Sequence, residues 1–193
     1  MEQQIVLASS SPFRRQLLEK LGFKFICDSP DIDESARPNE TPQQLVARLA
    51  QEKANAVAAR HPSALIIASD QCAVLDDKIL GKPGDHQTAV KQLQAASGKK
   101  VLFLTSLVLL NSGTNNAQAE VCPFSVYFRS LTTPEIEGYL NREKPYNCAG
   151  SFKSEGLGIS LFQRLEGDDP NTLIGLPLIR LTAMLGKEGV SLY

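Results

Sequence analysis

The chain has 193 residues, of which 42% are hydrophobic and 21% are charged, and 20 basic and 21 acidic residues give a formal net charge of −1. A chain of this length can bury roughly 70% of its unfolded surface as one domain, so it needs no disulfide or metal to fold. The balanced charge argues against binding to long nucleic acids or acidic membranes, so any anion the protein handles is expected to be small.

The first predicted elements are a buried strand and two helices. The apolar residues 5–8 predict the strand. Ser-Ser-Ser-Pro at 9–12 predicts a helix start and Gly22 its end, because serine favours the cap position, proline the first turn and glycine the C-terminal end. Thr-Pro at 41–42 starts a second helix in the same way, running to about Arg60.

The rest of the chain alternates between strands and helices. Strands are predicted at 64–69, 74–75, 79–80, 101–110 and 124–128, and helices at 86–96, 132–141 and 176–185. Residues 76–78, Asp-Asp-Lys, are predicted to form a hairpin turn, and the Gly- and Ser-rich residues 150–158 a functional loop. This pattern predicts an α/β fold with a mixed twisted sheet and flanking helices, in one domain over 1–193.

Several features bear on location and on the kind of chemistry. Residues 1–4 lack the basic and apolar regions of a secretory signal, and the apolar stretch 101–110 is too short to span a bilayer. The four cysteines lie far apart, as expected for thiols in a reducing cytoplasm. Since there are only two histidines, catalysis is expected to depend on carboxylates, lysines and arginines.

The turn before the first helix is the first candidate site. The hydroxyls of residues 9–11 and the free backbone N–H groups at a helix start favour phosphate, and Arg14 follows one turn later. The alternative is an ordinary N-cap with a solvated arginine, since Ser-Pro helix starts are common.

Asp70 and Lys53 are the next candidates. Asp70 is predicted to lie just past a buried strand, where a carboxylate can coordinate Mg²⁺ or orient a water; the alternative is a turn aspartate. Lys53 falls within the apolar stripe of the second helix, so it either extends to the edge of that stripe or points into a cleft.

Three further segments carry weaker signals. Lys82, in Leu-Gly-Lys-Pro, is placed to meet a phosphate, although the chain contains no GxxxxGK[ST] phosphate loop. The acidic residues 31–34 can supply a metal carboxylate or form a solvated loop. Glu155 is either a surface charge or an acceptor for the guanine edge. Together these residues suggest metal-assisted phosphate chemistry.

The sequence resembles the Maf family of nucleotide pyrophosphatases from about Ile5 to Leu185. The matching segments are Leu7–Arg14, Asp33-Glu34, Gln51–Ala54, Ser69–Gln71, Gly81–Pro83 and Gly175–Pro177. The resemblance implies a fold similar to inosine triphosphatases, with two lobes around a cleft. It also implies hydrolysis between the α- and β-phosphates with a divalent metal, Mg²⁺ or Mn²⁺.

The resemblance also implies a role for each matching residue. Ser11 and Arg14 would hold phosphate, and Lys53 and Lys82 would neutralise the triphosphate. Asp70 would be the proton acceptor for water. Glu34 would be a second acid, binding the metal together with Asp70. Cations and metal would offset the charge that develops on the phosphoryl oxygens.

Within that family the chain resembles the YceF-like branch, which is similar to 7-methyl-GTP pyrophosphatases. Gln71, Glu155 and residues 166–172 carry this resemblance, and Phe13, Gln71 and Glu155 would select the base. The branch that acts on dTTP and UTP shows Arg, Thr and Gln at those three positions. Phe13 stands where the YceF-like branch usually has tryptophan, a stronger cation–π partner for a methylated guanine.

Two other functions compete with hydrolysis of 7-methyl-GTP. One is a pyrophosphatase for other modified or non-canonical nucleotides, of the dTTP or UTP type. The other is a nucleotide-binding regulator of septum formation, a process with which Maf proteins are associated. The expected partner is a small-molecule nucleotide, with no long nucleic acid and no membrane, and a homodimer is compatible with the sequence.

Overall fold

A computed structural model describes residues 3–193 of the chain. The strands are β1 (Gln4–Leu7), β2 (Ile26–Cys27), β3 (Ala64–Leu75), β4 (Lys78–Leu80), β5 (Lys100–Asn111), β6 (Asn116–Phe128) and β7 (Phe162–Glu166). The helices are α1 (Pro12–Glu19), α2 (Pro42–Ala58), α3 (His86–Ala96), α4 (Thr133–Glu143), α5 (Asn171–Ile174) and α6 (Leu178–Lys187), and short 3-10 helices cover Ala149–Ser151 and Leu157–Leu161. Met1 and Glu2, part of the segment expected to lack a secretory signal, lie outside the described residues.

The strands form one mixed sheet of seven strands, which confirms the predicted fold class. Its order is β2-β1-β3-β5-β6-β7, and β4 pairs with β3 beside this path. β1 is parallel to β2 and to β3, whereas the β3–β4 and β6–β7 pairs are antiparallel. The parallel pairs require crossover connections, which α1 and α2 provide.

The chain divides into two compact units. The first contains the described part of Met1–Gln71 together with Thr105–Cys122 and Asp169–Tyr193, and the second contains Cys72–Leu104 and Pro123–Asp168. The strands β3, β5 and β6 each contribute residues to both units. None of the helices within residues 3–193 combines the length and the apolar character that crossing a bilayer requires.

In the first unit, helices cover both faces of the sheet. Successive side chains of a strand point to opposite faces. Odd-numbered residues of β1, β3 and β5, such as Leu65 and Ile67, pack in a core cluster with residues of α1 and α6. Even-numbered residues, such as Ile66 and Ala68, pack in a second cluster with residues of α2. This alternation decides which way the polar residues further along β3 face.

The core of the second unit contains a group of aromatic rings. Phe152 lies in edge-to-face contact with Phe103, Phe128 and Phe162, with ring centroids 5.4, 5.5 and 4.9 Å away. Such contacts add about 0.5–1.5 kcal/mol each beyond the burial of apolar area. Phe152 therefore anchors the start of the predicted functional loop against the sheet.

The predicted starts of α1 and α2 are confirmed, α6 begins two residues later than predicted, and the predicted strands need correction. Ser11 caps α1, and Thr41 caps α2 through a capping box with Gln44. The strand predicted to end before Asp70 continues to Leu75, because its polar residues are satisfied by hydrogen bonds and need no turn. The sequence analysis did not predict β2, β7 or α5, which have two, five and four residues and depend on their neighbours in the fold.

Candidate active site

The polar residues Ser69, Asp70 and Gln71 follow the apolar part of β3 and continue its alternation. Asp70 faces the same side as Ile66 and Ala68, which is the side that α2 covers. Ser69 and Gln71 face the opposite side, with Leu65 and Ile67. Three consecutive residues of one strand therefore supply polar groups to both faces of the sheet.

On the α2 side, one lysine joins two carboxylates. The ammonium Nζ of Lys53 lies 2.6 Å from Oδ1 of Asp70 and 2.7 Å from Oε1 of Glu34. The side chains of Lys53 and Asp70 are only 7% and 13% exposed, whereas that of Glu34 is 61% exposed. Lys53 thus points inward, and its charge is compensated from two directions, which is the usual condition for burying an ion.

The backbone of Asp70 is held by a neighbouring hydroxyl. Its N–H donates to Oγ of Ser106 at 3.1 Å, and Ser106 in turn donates to the carbonyl of Val46 in α2 at 2.7 Å. Ser106 is fully buried. These bonds connect β3, β5 and α2 next to the carboxylate, so they limit how far it can move.

Salt bridges on α2 hold the segment that carries Glu34. Arg48 donates to the carboxylate of Glu40 at 2.6 and 2.8 Å, to the carbonyl of Ser35 at 3.0 Å and to Glu52 at 3.0 Å. Hydrogen bonds from the side chain of Arg48 and from the backbone N–H of Arg37 lower the pKa of Glu40 to about 2. Because Ser35 follows Glu34 directly, Arg48 helps to place Glu34 beside Lys53.

On the other side of the sheet, Gly175 connects two polar residues. Its carbonyl accepts hydrogen bonds from Nε of Arg14 and from Oγ of Ser69, both at 2.9 Å. Partial burial lowers the pKa of Arg14, and the charges of Asp70 and Glu34 oppose that shift. Arg14 is therefore not the solvated surface residue of the alternative interpretation, and the acidic side chains of the site act on its charge.

The other predicted residues of the first helical turn lie beside Arg14. Oγ of Ser11 accepts a hydrogen bond from the backbone N–H of Arg14 at 3.4 Å, and the N–H of Ser11 donates to Oγ of Ser9 at 3.1 Å. Ser11 and Phe13 are both half-buried. The turn is ordered by its own hydroxyls, as the cap signal predicts.

Gln71 uses its amide nitrogen to hold the segment before Gly175. Nε2 donates to Oγ1 of Thr105 at 2.8 Å and to the carbonyl of Thr172 at 2.8 Å, and it lies 3.2 Å from the carbonyl of Leu173. Oγ1 of Thr105 also donates to the carbonyl of Thr172, at 3.0 Å. These bonds orient the side chain of Gln71, with its amide nitrogen towards the protein.

The two remaining predicted site residues, Lys82 and Glu155, lie in the second unit and are both exposed. Burial raises the pKa of the Cys148 thiol, an effect opposed by the charges of Lys153 and Lys82 and reinforced by that of Glu155. Lys82 and Glu155 therefore act on the same thiol, and the structure brings them into one neighbourhood of that unit.

The loop that carries Glu155 is fixed to α4. The hydroxyl of Tyr139 accepts from the N–H of Lys153 at 3.1 Å, and the carboxylate of Glu143 accepts from the N–H of Leu157 at 2.9 Å. At Gly158, a Cβ atom would lie 2.2 Å from the carbonyl oxygen of Lys153, so only glycine fits there. These contacts restrict the backbone on both sides of the exposed Glu155.

The candidate metal ligands are the carboxylates of Glu34 and Asp70. Among residues 3–193, no group of three or more His, Cys, Asp or Glu side chains is arranged to hold one. Glu34 and Asp70, however, converge on the single ammonium of Lys53. Mg²⁺ is commonly bound by one or two carboxylates plus substrate phosphates and water, so two carboxylates fit a metal that arrives with a nucleotide.

Sequence reasoning did not single out several residues that build this site. Thr105 and Ser106 lie inside the predicted strand 101–110, to which no functional role was assigned, yet Ser106 bonds to Asp70 and Thr105 to Gln71. Their spacing offers a signal: adjacent polar residues inside a buried strand must find partners on both faces. Gly175 acts through its backbone carbonyl, which accepts hydrogen bonds from Arg14 and Ser69, and residue type gives no signal for such a role.

The chain is similar to known proteins over nearly its whole length. The family described as Maf-like protein matches residues 4–188. A protein of Alcanivorax borkumensis named 7-methyl-GTP pyrophosphatase is 62% identical over 188 residues, covering 97% of this chain and 95% of that protein. Proteins with the same name are 59% identical in Pseudomonas syringae pv. tomato, covering 97% of both chains, and 57% identical in Nitrosococcus oceani, covering 96% of this chain and 93% of that protein.

Among solved structures, the chain is similar to the Ham1 protein of Staphylococcus aureus. The TM-score is 0.56 with 13% sequence identity, and the match covers 96% of this chain and 100% of the other. At this identity the similarity concerns the fold alone, and it agrees with the mixed α/β architecture described above.

Proposed function

This chain belongs to the Maf-like protein family, and on that premise we propose that it hydrolyses 7-methyl-GTP to 7-methyl-GMP and diphosphate. The named relatives, 57–62% identical over nearly the whole chain, support this substrate. We further propose that residues 1–193 act as a single pyrophosphatase domain.

One observation carries the proposal: a buried ammonium lies between two carboxylates. Nζ of Lys53 lies within 2.7 Å of a carboxylate oxygen of both Asp70 and Glu34. The charges of the same two acids also act on the pKa of Arg14. This arrangement suits phosphoryl transfer, because cations can offset the charge on the phosphoryl oxygens while a carboxylate accepts the proton of an attacking water.

In the proposed reaction, Asp70 accepts a proton from water. The water oxygen forms a bond to the α-phosphorus, the bond from that phosphorus to the bridging oxygen breaks, and diphosphate leaves with the electron pair. Lys53 keeps Asp70 oriented by their 2.6 Å contact. Ser11 and Arg14 hold phosphate, and Lys82 is proposed to neutralise further charge of the triphosphate.

We propose that Glu34 and Asp70 hold a divalent cation, Mg²⁺ or Mn²⁺, together with the nucleotide. When bound, such a metal would polarise the phosphoryl oxygens and reduce the repulsion that an incoming water meets. Lys53 already contacts both carboxylates, so it keeps them close together before any cation arrives.

Base selection is proposed for Phe13, Gln71 and Glu155. A methylated guanine carries positive charge, which favours an aromatic face and a carboxylate at its edge. Phe13 is half-buried at the first turn of α1, and Gln71 is oriented by Thr105 and Thr172. The exposed Glu155 would accept hydrogen bonds from the guanine edge.

The test is release of diphosphate from 7-methyl-GTP, GTP, dTTP and UTP, with Mg²⁺ and with Mn²⁺. The proposal expects the highest kcat/KM for 7-methyl-GTP. A preference for dTTP and UTP would refute the proposed substrate. As a matched variant, Phe13→Trp is expected to raise selectivity for 7-methyl-GTP over GTP, because tryptophan is the stronger cation–π partner.

A second experiment separates an enzyme from a nucleotide-binding regulator. Asp70→Asn should abolish turnover and retain nucleotide binding, whereas a purely binding role would survive this change in a cell-division assay. We propose that the reaction takes place in the cytoplasm, because the four cysteines lie far apart in the sequence, as expected for thiols in a reducing compartment. We also propose that the protein forms a homodimer, which sedimentation of the wild-type protein tests.

A further inference from the structure

A buried carboxylate outside the proposed catalytic set belongs to Asp169, which is 3% exposed. Its Oδ1 accepts from the backbone N–H of Asn171 at 2.8 Å and from the side-chain amide of Asn171 at 2.7 Å. Its Oδ2 accepts from the backbone N–H of Ile179 at 2.8 Å. Asp169 thus ties the beginning of α5 to the beginning of α6, and its burial is made acceptable by three donors.

The segment between these two attachment points supplies carbonyl groups to the site. The carbonyl of Gly175 accepts from Arg14 and from Ser69, both at 2.9 Å. The carbonyl of Thr172 accepts from Gln71 at 2.8 Å. One segment therefore orients a residue proposed to hold phosphate and a residue proposed to select the base.

The conformation of this segment is narrowly defined. Gly175 has a φ of +125°, which side-chain-bearing residues rarely adopt. Four residues of α5 cannot keep such a conformation by themselves. The bonds to Asp169 constrain it on both sides.

We propose that Asp169 is a positioning residue that sets the orientation of Arg14 and Gln71 through the carbonyls of residues 172–175. It touches no reacting atom. Its loss releases the segment, and both side chains then lose a hydrogen-bond acceptor at a defined place. This inference rests on the proposed function, because it names what Arg14 and Gln71 do.

The experiment compares Asp169→Asn with Asp168→Asn, which makes the same chemical change at the adjacent, exposed position. Both proteins are assayed with 7-methyl-GTP and GTP well below their melting temperatures. A small displacement of binding groups can cost about a hundredfold, so Asp169→Asn is expected to lower kcat/KM for 7-methyl-GTP by about 10- to 100-fold. The Asp168→Asn protein is expected to lose much less, because the bonds to Asn171 and Ile179 are made by Asp169.

A double-mutant cycle with Gln71→Ala separates positioning from stability. If Asp169 acts through Gln71, the double variant loses no more selectivity between 7-methyl-GTP and GTP than the larger single effect. Two results would overturn the inference: additive losses of selectivity, or a lower melting temperature for Asp169→Asn with unchanged kinetics. If Asp169→Asn does not fold, Asn171→Ala removes one of the three donors and is expected to show a smaller loss in the same direction.

The wild-type protein in the same panel tests the proposed function separately. If it prefers another nucleotide, the proposed substrate is wrong and the cycle is repeated with the preferred nucleotide. Whichever nucleotide is preferred, the inference about Asp169 fails if the losses of selectivity in the cycle are additive, or if Asp169→Asn, or the fallback Asn171→Ala, is kinetically equal to the Asp168→Asn control.

Discussion

Replacing Lys53 by methionine should destabilise the protein and should be partly repaired by a second substitution. Methionine keeps the length of the side chain but removes the ammonium that lies 2.6 Å from Asp70. The Asp70 side chain is only 13% exposed, so its carboxylate would stay largely buried without its lysine. Removing one partner of a buried ion pair costs about 3–5 kcal/mol.

The structure also predicts how the other variants rank. Asp70→Asn should cost less than Lys53→Met, because Lys53 keeps its second contact, 2.7 Å from the exposed Glu34. The double variant should be more stable than Lys53→Met, because the uncompensated carboxylate is gone. All three should lack activity, so stability recovers in the double variant and turnover does not.

Urea unfolding followed by circular dichroism at pH 7 measures these differences, with thermal melting as a second assay. A loss of 3–5 kcal/mol corresponds to a drop in melting temperature of about 6–20 °C for a protein of this size. Lys24→Met is the control, since Lys24 is exposed. The reasoning is refuted if Lys53→Met lies within about 1 kcal/mol of the wild type, or if the double variant is no more stable than Lys53→Met.

Three further outcomes are expected. Glu40→Gln should lower stability above pH 4.5, and the difference from the wild type should shrink as the pH falls towards 2, because hydrogen bonds from Arg48 lower the pKa of Glu40 from 4.5 to about 2. Urea titrations across this pH range test the prediction, and a pH-independent difference in stability would contradict it. Gly158→Ala should reduce selectivity for 7-methyl-GTP over GTP, because the added Cβ would clash with the carbonyl of Lys153 and displace the loop that carries Glu155. The same ratio of kcat/KM values for the two nucleotides in the variant and in the wild type would contradict this. Removing divalent cations with a chelator should stop diphosphate release and leave the circular dichroism spectrum unchanged, and adding Mg²⁺ or Mn²⁺ should restore the activity. Full activity in the presence of the chelator would refute the proposed metal.

Local sequence signals located most elements of this fold. The caps at Ser11 and Thr41 and the bounds of the third helix, 86–96, follow from residues within one or two turns of each other. The hairpin around Asp76 and Asp77 is also local, and both residues adopt the left-handed conformation that such a turn requires. The elements that were missed, such as β2, are short and carry too few residues for a periodic pattern.

Local patterns in the sequence were enough to locate the starts of α1 to α4 and of most strands. Long-range contacts were needed to show that Asp70 lies inside a strand and faces Lys53, while its neighbours Ser69 and Gln71 face away from it. The difference lies in the range of the interactions. Caps and periodicity act over a few residues, whereas the bonds from Ser69 to Gly175 and from Gln71 to Thr172 join positions about a hundred residues apart, which only the folded sheet brings together.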